Sequence, residues 1–414
     1  SSQNLLYGQL QTIGTGLTTV GVPALIVFQY NAQVPSTWEW QSGVQMTLPW
    51  SAALDVSYVG THGYNRLRAF QGGGNGSVDQ NAIDIGAAYL PQNQDPTLGP
   101  STVPGASAYS SNLLRSYRGL SNISAQLTQF HDTYHSIQTS LNRRYRNGLA
   151  FGVNYTLGLS LSGNTGLQSR FQHAADGTIS LRADQTAYEA LNNNLALQKH
   201  VIKGYAVWSL PKVPSGLGSV AGVFLNDWQI SGVVTAGSAQ NSTNNTNGRY
   251  DLTYTYQNNG AAVNLTGSPD YAPKIVYTGN PGSGCSSNQY AQFNTASVTG
   301  PTYGSVGLES GRYILGGCWD HVVDLALVKN FIFTSTKTLQ FRVDAFNVFN
   351  TVVYNDRNFT VQYRSPTDLT ILNSQYLPNG QVDPTRLTPR TAGFGAATNA
   401  ESLRTLQLEL RFGF

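Results

Sequence analysis

The residues able to do chemistry in this chain are few and poorly arranged for it. Six histidines are present, His62, His131, His135, His173, His200 and His321. His131 and His135 stand at i and i+4, a spacing that brings two imidazoles to one ion only on a helix. Their surroundings, QFHDTYHSIQ, lead into a strand pattern, so no metal is expected. The GGGNG run at 72–76 lacks the following Lys-Ser/Thr and the strand-to-helix setting of a phosphate loop, which favours a flexible loop. No nucleophile elbow surrounds a serine, and no Ser-His-Asp set can be assembled from spacing, so neither enzymatic activity nor a cofactor is expected. Cys285 and Cys318 lie in a stretch rich in Gly, Ser, Asn and Tyr and match no metal motif. One disulfide in an oxidising compartment is expected, with free thiols as the alternative; closing a loop of that length stabilises by roughly 3–4 kcal/mol in a chain-entropy treatment.

A third cluster is aromatic. Tyr250, Tyr254, Tyr256, Tyr271, Tyr277, Tyr290, Tyr303 and Tyr313 share one long stretch with many Asn, Gly and Ser. Tyrosine among small polar residues suits a recognition surface, here for a neutral oligosaccharide or peptide rather than an anionic chelate, which would want Arg or Lys. The alternative is that these rings pack the loops on one another. Both readings stay open at this point.

The elements that position these residues follow from patterning. Charged residues are only 11% of the chain, against about 25% in a typical soluble domain. Net charge is +3 without a basic run, so nucleic acid is not an expected partner. No apolar run approaches the roughly 18 residues of a membrane-spanning helix. Instead, short alternating segments come in pairs. TWEWQSGVQMTL, PWS and AALDVSYVG form the first pair; YHSIQTSLNRRY, RNG and LAFGVNYTLGLSLS form the second. HVIKGYAVWSL joins DWQISGVVTAGS through a Pro/Gly-rich connection, and HVVDLALVKNFIF joins TLQFRVDAFNVFN through TSTK. TLQLELRFGF closes the chain as the ninth strand. Between Leu149 and Ser160 every odd position is Leu, Phe, Val or Tyr and every even one is small or polar, the period of a strand with two unlike faces. Pro49 and Asn147-Gly148 signal tight turns. Stretches 61–133, 162–198, 240–319 and 354–400 separate the pairs at the other end, too long for loops of a compact soluble domain. Short turns on one side and long loops on the other are the pattern of a transmembrane antiparallel β-barrel.

Aromatic placement identifies the solvent of the apolar face. Trp50, Tyr145, Phe151, Trp208, Trp228, Phe331, Phe341, Phe412 and Phe414 crowd around the short turns, where a soluble core would put its largest side chains mid-strand. A row of such rings at one level is an interface girdle. Strand charges fall in the polar phase: Glu39, Asp55, Arg144, Lys203, Asp324, Arg342, Asp344, Glu409 and Arg411 are expected to face a wet lumen. Arg143 and Lys329 fall in the apolar phase, but within a few residues of a turn, where they can snorkel.

These segments, with VPSTWEWQSGVQMTLPWSAALDVSYVGTHG, LNDWQISGVVTAGSAQ and the terminal Phe, resemble the C-terminal barrel of TonB-dependent outer-membrane receptors. The nearest likeness is to the Oar-like group, which carries a carboxypeptidase-regulatory-like domain ahead of the plug. The resemblance covers about residues 38–414, and implies a barrel of about 22 strands with a plugged lumen, located in the outer membrane of a Gram-negative bacterium and energised through TonB. Residues 1–37 are then an extracellular loop segment and 38–414 the C-terminal barrel portion. Nine strands leave the residues before the first one outside the cell, and the chain begins with Ser rather than Met. It is therefore expected to be a processed chain or a piece of a longer one, completed by an N-terminal barrel and plug portion from the same precursor or a separate chain. Expected partners are membrane lipid, that missing portion, the TonB system acting through the plug, and an oligosaccharide or peptide ligand. The alternative is an outer-membrane adhesin or structural barrel component without transport.

Overall fold

The structure is a computed structural model, and it describes residues 22–68, 79–164, 170–192, 197–213, 219–241, 248–249, 251–257, 265–311, 314–334, 336–401 and 403–414. The GGGNG run, Tyr250 and Tyr313 lie outside the described residues.

Nine strands carry the fold, and each alternating segment forms one. They are β1 (Ser36–Leu48), β2 (Ala52–Arg68), β3 (Ile123–Arg146), β4 (Leu149–Asn164), β5 (His200–Ser209), β6 (Trp228–Gly237), β7 (Asp320–Ile332), β8 (Thr338–Phe346) and β9 (Thr405–Gly413). They pair antiparallel in strict chain order, and among the described residues β1 and β9 each have a neighbour on one side only. Leu25–Phe28 adds a short parallel strand beside Ile123–Gln126, at the upper end of β3. β2 and β3 run well past the nine to eleven residues a membrane crossing needs. Their upper ends stay paired because the loops pack around them, a tertiary effect that alternation does not announce.

The short turns are where the sequence put them. Asn147 and Gly148 take φ of 52° and 80°, the left-handed pair that matches the strand twist of a two-residue hairpin. Pro49–Ser51 forms a single 3-10 turn in which Trp50 and Ser51 hold φ of 63° and 62°. A bulky ring in that region costs about 1–2 kcal/mol, and Trp50 stays exposed, so the turn gains nothing from burial there. The β5–β6 connection carries a short helix, Ser219–Leu225.

Register assigns the faces. Glu39, Asp55, Lys203, Asp324, Arg342, Asp344, Glu409 and Arg411 trace to one face through pairs such as Asp55↔Ser140↔Asn154↔Lys203 and Asp344↔Ala326. Arg144 follows Asn142 on the same alternation. The other face holds the rows Phe151–Ala206–Gly232–Leu325–Ala345–Leu406 and Trp208–Ile230–Leu327–Val343–Leu408. The nine girdle aromatics all lie on this face or in its turns. In β4 the alternation is interrupted where the partner of β3 steps from Gly158 to Ser160 between Ser136 and His135; Leu159 is the extra residue, and Ser160 crosses to the apolar face. A bulge of this kind re-aims everything above it.

Along β7 the two faces are covered in the opposite sense to a soluble protein. On β7, Leu325 and Leu327 are 37% and 36% exposed, while Ala326 and Val328 between them are 7% and 4% exposed. No second layer covers the larger side chains among the described residues. Lys329 departs from the snorkelling expected of it. Its ammonium is buried, donates to the carbonyls of Asn226 and Asn330, and lies 4.8 Å from the Phe331 ring. Asn226 follows the helix Ser219–Leu225, so through that contact the lysine answers a carbonyl at the helix end.

Candidate functional site

The packed core of the molecule sits in the loops. Leu252, Tyr256, Leu265, Ile275, Phe293, Val298, Leu315, Val361, Tyr363 and Phe394 form one buried cluster drawn from the β6–β7 and β8–β9 connections. Its frame is a small sheet in which Thr253–Tyr256 pairs with Thr360–Ser365, which pairs in turn with Asp368–Ile371. Tyr254, Tyr277 and Tyr303 pack against the cluster. Tyr256 donates its hydroxyl to the Pro301 carbonyl at 2.5 Å. Burial holds the hydroxyls of Tyr254, Tyr256 and Tyr277 well above the ordinary tyrosine range, so all three stay protonated. Tyr271 accepts from the Phe171 amide at 3.2 Å, and burial pushes it up to about 12. Tyr290 is half-buried. Four of the eight tyrosines thus hold the loops together, and a fifth ties one loop to another.

Ion pairs and charge-assisted hydrogen bonds lock the four loops into one cap. Arg115, in the β2–β3 loop, is buried between Asp79 and Asp270, with nitrogens 3.5 Å and 3.1 Å from their oxygens. It also donates to the Asn81 carbonyl and to Asn122. Asp79 accepts from the amides of Asn81 and Ile123 at 2.9 and 2.8 Å. Burial, helped by the neighbouring Asp270 charge, raises its carboxyl above the ordinary range against the pull of those amides and Arg115. Asp270 belongs to the β6–β7 loop and also accepts from the Ile83 amide at 2.8 Å. Arg170, from the β4–β5 loop, is buried, donates to the Val306 carbonyl and lies 4.6 Å from the Tyr188 ring. The disulfide Cys285–Cys318 is formed, with Cα atoms 5.3 Å apart. Arg357, from the β8–β9 loop, braces it: Nε donates to the Gly284 carbonyl at 2.7 Å and Nη2 lies 3.0 Å from Cys318 Sγ.

Between the β2–β3 and β4–β5 loops this cap holds a cavity of about 600 Å³. Its polar lining includes Asp84, Asn93, Ser116, Gln172, Ser180 and Arg182, with Ile85, Leu90 and Leu114 as apolar patches. The charges here are already matched. His173 meets Asp84 Oδ1 at 3.0 Å and the Gln80 carbonyl at 2.9 Å, and Arg182 meets Asp184 at 3.1 Å. What remains for a guest is a set of amide, hydroxyl and apolar contacts. Apart from the tyrosines, none of these residues stands out in the sequence. Asp79, Arg115, Asp270, Asp84 and Arg182 are isolated charges far apart in the chain, and spacing gives no signal for contacts made only by folding.

The strand charges do less than a continuous ladder would. Arg342 binds Asp344 on its own strand at 2.8 Å and faces Glu409 across the register. Asp55 accepts from Ser57 at 2.7 Å, and Asp324 caps the Asn347 amide at 2.8 Å.

Residues 3–407 match the family described as outer membrane beta barrel domain. Among solved structures, similarity extends to a mutant of the ferric enterobactin receptor from Pseudomonas aeruginosa, with 10% identity over 92% of this chain and 31% of that one, TM-score 0.34. P. aeruginosa FpvA bound to heterologous pyoverdines shares 9% identity over 91% of this chain and 27% of its own, TM-score 0.35. The outer membrane transporter YddB from Escherichia coli shares 9% over 95% and 34%, TM-score 0.36. The chain spans about a third of the length of these receptors. No curated protein matches the sequence.

Proposed function

Because this chain belongs to the outer membrane β-barrel family, with its strands in the outer membrane of a Gram-negative cell, we propose that it is the C-terminal wall of a TonB-dependent receptor of the Oar-like group. On β7 the large apolar Leu325 and Leu327 are more exposed than Ala326 and Val328 on the opposite face, and that observation carries the reading. Such a face is stable only against hydrocarbon. Arginine at mid-height on it would cost about 2–4 kcal/mol, and among the described strand residues its cations, Arg143, Lys329 and Arg146 opposite Leu149, stand beside turns. The polar face with Glu39, Asp55, Lys203 and Arg342 then lines the lumen, and Trp50, Trp208, Trp228 and Phe412 mark the periplasmic interface. The single-sided edges at β1 and β9 call for further strands, since unpaired backbone groups are not tolerated in lipid. The N-terminal barrel and plug portion supplies them, either in the same precursor or as a second chain.

The cap captures the ligand. Its cavity, with matched charges and leftover amide and hydroxyl groups, suits a neutral oligosaccharide or short peptide; the chain itself performs no covalent step. The segments that resemble TonB-dependent receptors support import after plug displacement. The test offers neutral oligosaccharides and short peptides to cells making the complete receptor, with and without a protonophore. Accumulation that collapses with the protonophore is expected. Surface binding without accumulation would overturn transport and leave an adhesin.

A further inference from the structure

Five of the six histidines lie on the apolar face, gathered at the end away from the short turns. Register fixes this: His62 pairs with Trp38 and Thr133, His135 with Gly60, and His200 with Leu157. His321 pairs with Ala236 and His131 with Asn164. His62 is ten residues above the β1–β2 turn, which at 3.3 Å per residue and a strand tilt near 40° is about 25 Å, the height of the apolar band. These histidines therefore stand at the outer membrane boundary, among Trp38, Trp40, Tyr58, Tyr64 and Tyr155.

Three of them meet a hydroxyl at Nδ1. His135 Nδ1 is 2.7 Å from the Tyr58 hydroxyl, His62 Nδ1 is 2.8 Å from the Thr133 hydroxyl, and His200 Nδ1 is 2.9 Å from the Tyr155 hydroxyl. The Tyr58 and Tyr155 rings stack on their histidines at 15° and 10°. Trp40 lies flat over Gly60, where an added Cβ would come within 2.2 Å of the indole, and closes against His135 at 5.9 Å. A hydroxyl can donate to a neutral imidazole or accept from a protonated one. Where the hydroxyl donates, or where the ring is protonated, Nε2 carries hydrogen and points away from its partner. His173 in the cap is built differently, with acceptors at both nitrogens.

Nothing of opposite charge meets this belt from the protein. Along the apolar phase of the nine strands the described residues include no Asp or Glu. The carboxylates next to these histidines in the chain, Asp132 and Asp320, alternate to the other face, and Asp132 pairs with Arg66 at 2.7 Å. The remaining titratable neighbours are the tyrosines themselves. A row of outward N–H donors lacking an internal counter-ion is complementary to an external anion at headgroup level. We propose that the belt binds phosphate groups of outer-leaflet lipid headgroups. This rests on the outer-membrane location and is independent of transport.

The experiment uses the complete receptor in detergent, with lipid A and its dephosphorylated form as probes, read by native mass spectrometry. Wild type is expected to retain lipid A on the order of tenfold better than the dephosphorylated form. In a variant carrying His62→Gln, His135→Gln and His200→Gln that preference disappears, while heat-modifiable gel migration reports an intact barrel. If that variant does not assemble, His200→Gln alone carries the test and loses part of the preference. Equal retention of both probes by wild type, or an unchanged preference in the variant, overturns the proposal and reduces the belt to an aromatic girdle.

Discussion

Replacing Arg115 by Met is the sharpest test of how the cap is held. The guanidinium is 6% exposed and sits between Asp79, also 6% exposed, and Asp270 at 14%. Removing it leaves two carboxylates facing each other without a counter-charge, and strips the Asn81 carbonyl and Asn122 of their donor. Breaking a buried ion pair from one side costs about 3–5 kcal/mol, which raises the population of the opened loop by roughly two to three and a half orders of magnitude. The effect stays in the loops, because the strands are paired through their own backbone. Hydrogen exchange resolves this. The Ile83 amide, which donates to Asp270, and the Ile123 amide, which donates to Asp79, should lose protection by that factor, while amides in the middle of β7 and β8 keep theirs. A cycle with Asp270→Asn should recover part of the loss, since one uncompensated charge goes with it. A shift below about 0.5 kcal/mol, the scale of a surface substitution, would show that the cluster does not hold the cap.

Other perturbations follow from the same geometry. Ile202→Arg puts a charge on the apolar face between Tyr155 and Ala236 and should cost about 2–4 kcal/mol in urea unfolding from lipid, whereas Val201→Arg, one residue away on the polar face, should cost under about 1 kcal/mol; equal costs would contradict the assigned faces. Reducing Cys285–Cys318 opens a loop spanning 33 positions and should destabilise the cap by about 3–4 kcal/mol in the chain-entropy treatment, seen as faster proteolysis between those residues. Tyr363 is fully buried, with a hydroxyl lacking a protein partner among the described residues, so Tyr363→Phe should raise cap stability by about 1 kcal/mol or more in thermal unfolding. Asp79 has a raised folded pKa, so its contribution to stability grows as pH falls from neutral toward the ordinary aspartate value and is lost as pH rises through the folded value. Exchange protection at the Asn81 amide should improve on mild acidification, and Asp79→Asn should abolish that pH dependence.

The sequence by itself determined the wall. A strand period of two is written in consecutive residues, so Leu149 to Leu157 and Leu406 to Phe414 declare both their conformation and their faces. Turn chemistry is equally local, and Asn147-Gly148 adopts the conformation its residue types favour. Even the solvent was legible, because aromatics at strand ends and carboxylates confined to one phase leave a pattern no soluble core needs. Tertiary structure alone decided the cap. Asp79, Arg115 and Asp270 come from two connections and meet only after both have folded. The tyrosines at 254, 256, 277 and 303 offered composition without periodicity, and only packing against Phe293, Tyr363 and Phe394 turned them into a core. The histidine belt lies between these cases. Each member's face follows from its own strand, but the row exists because register brings four separate strands to a similar height, and register depends on long-range pairing rather than on neighbours in the chain.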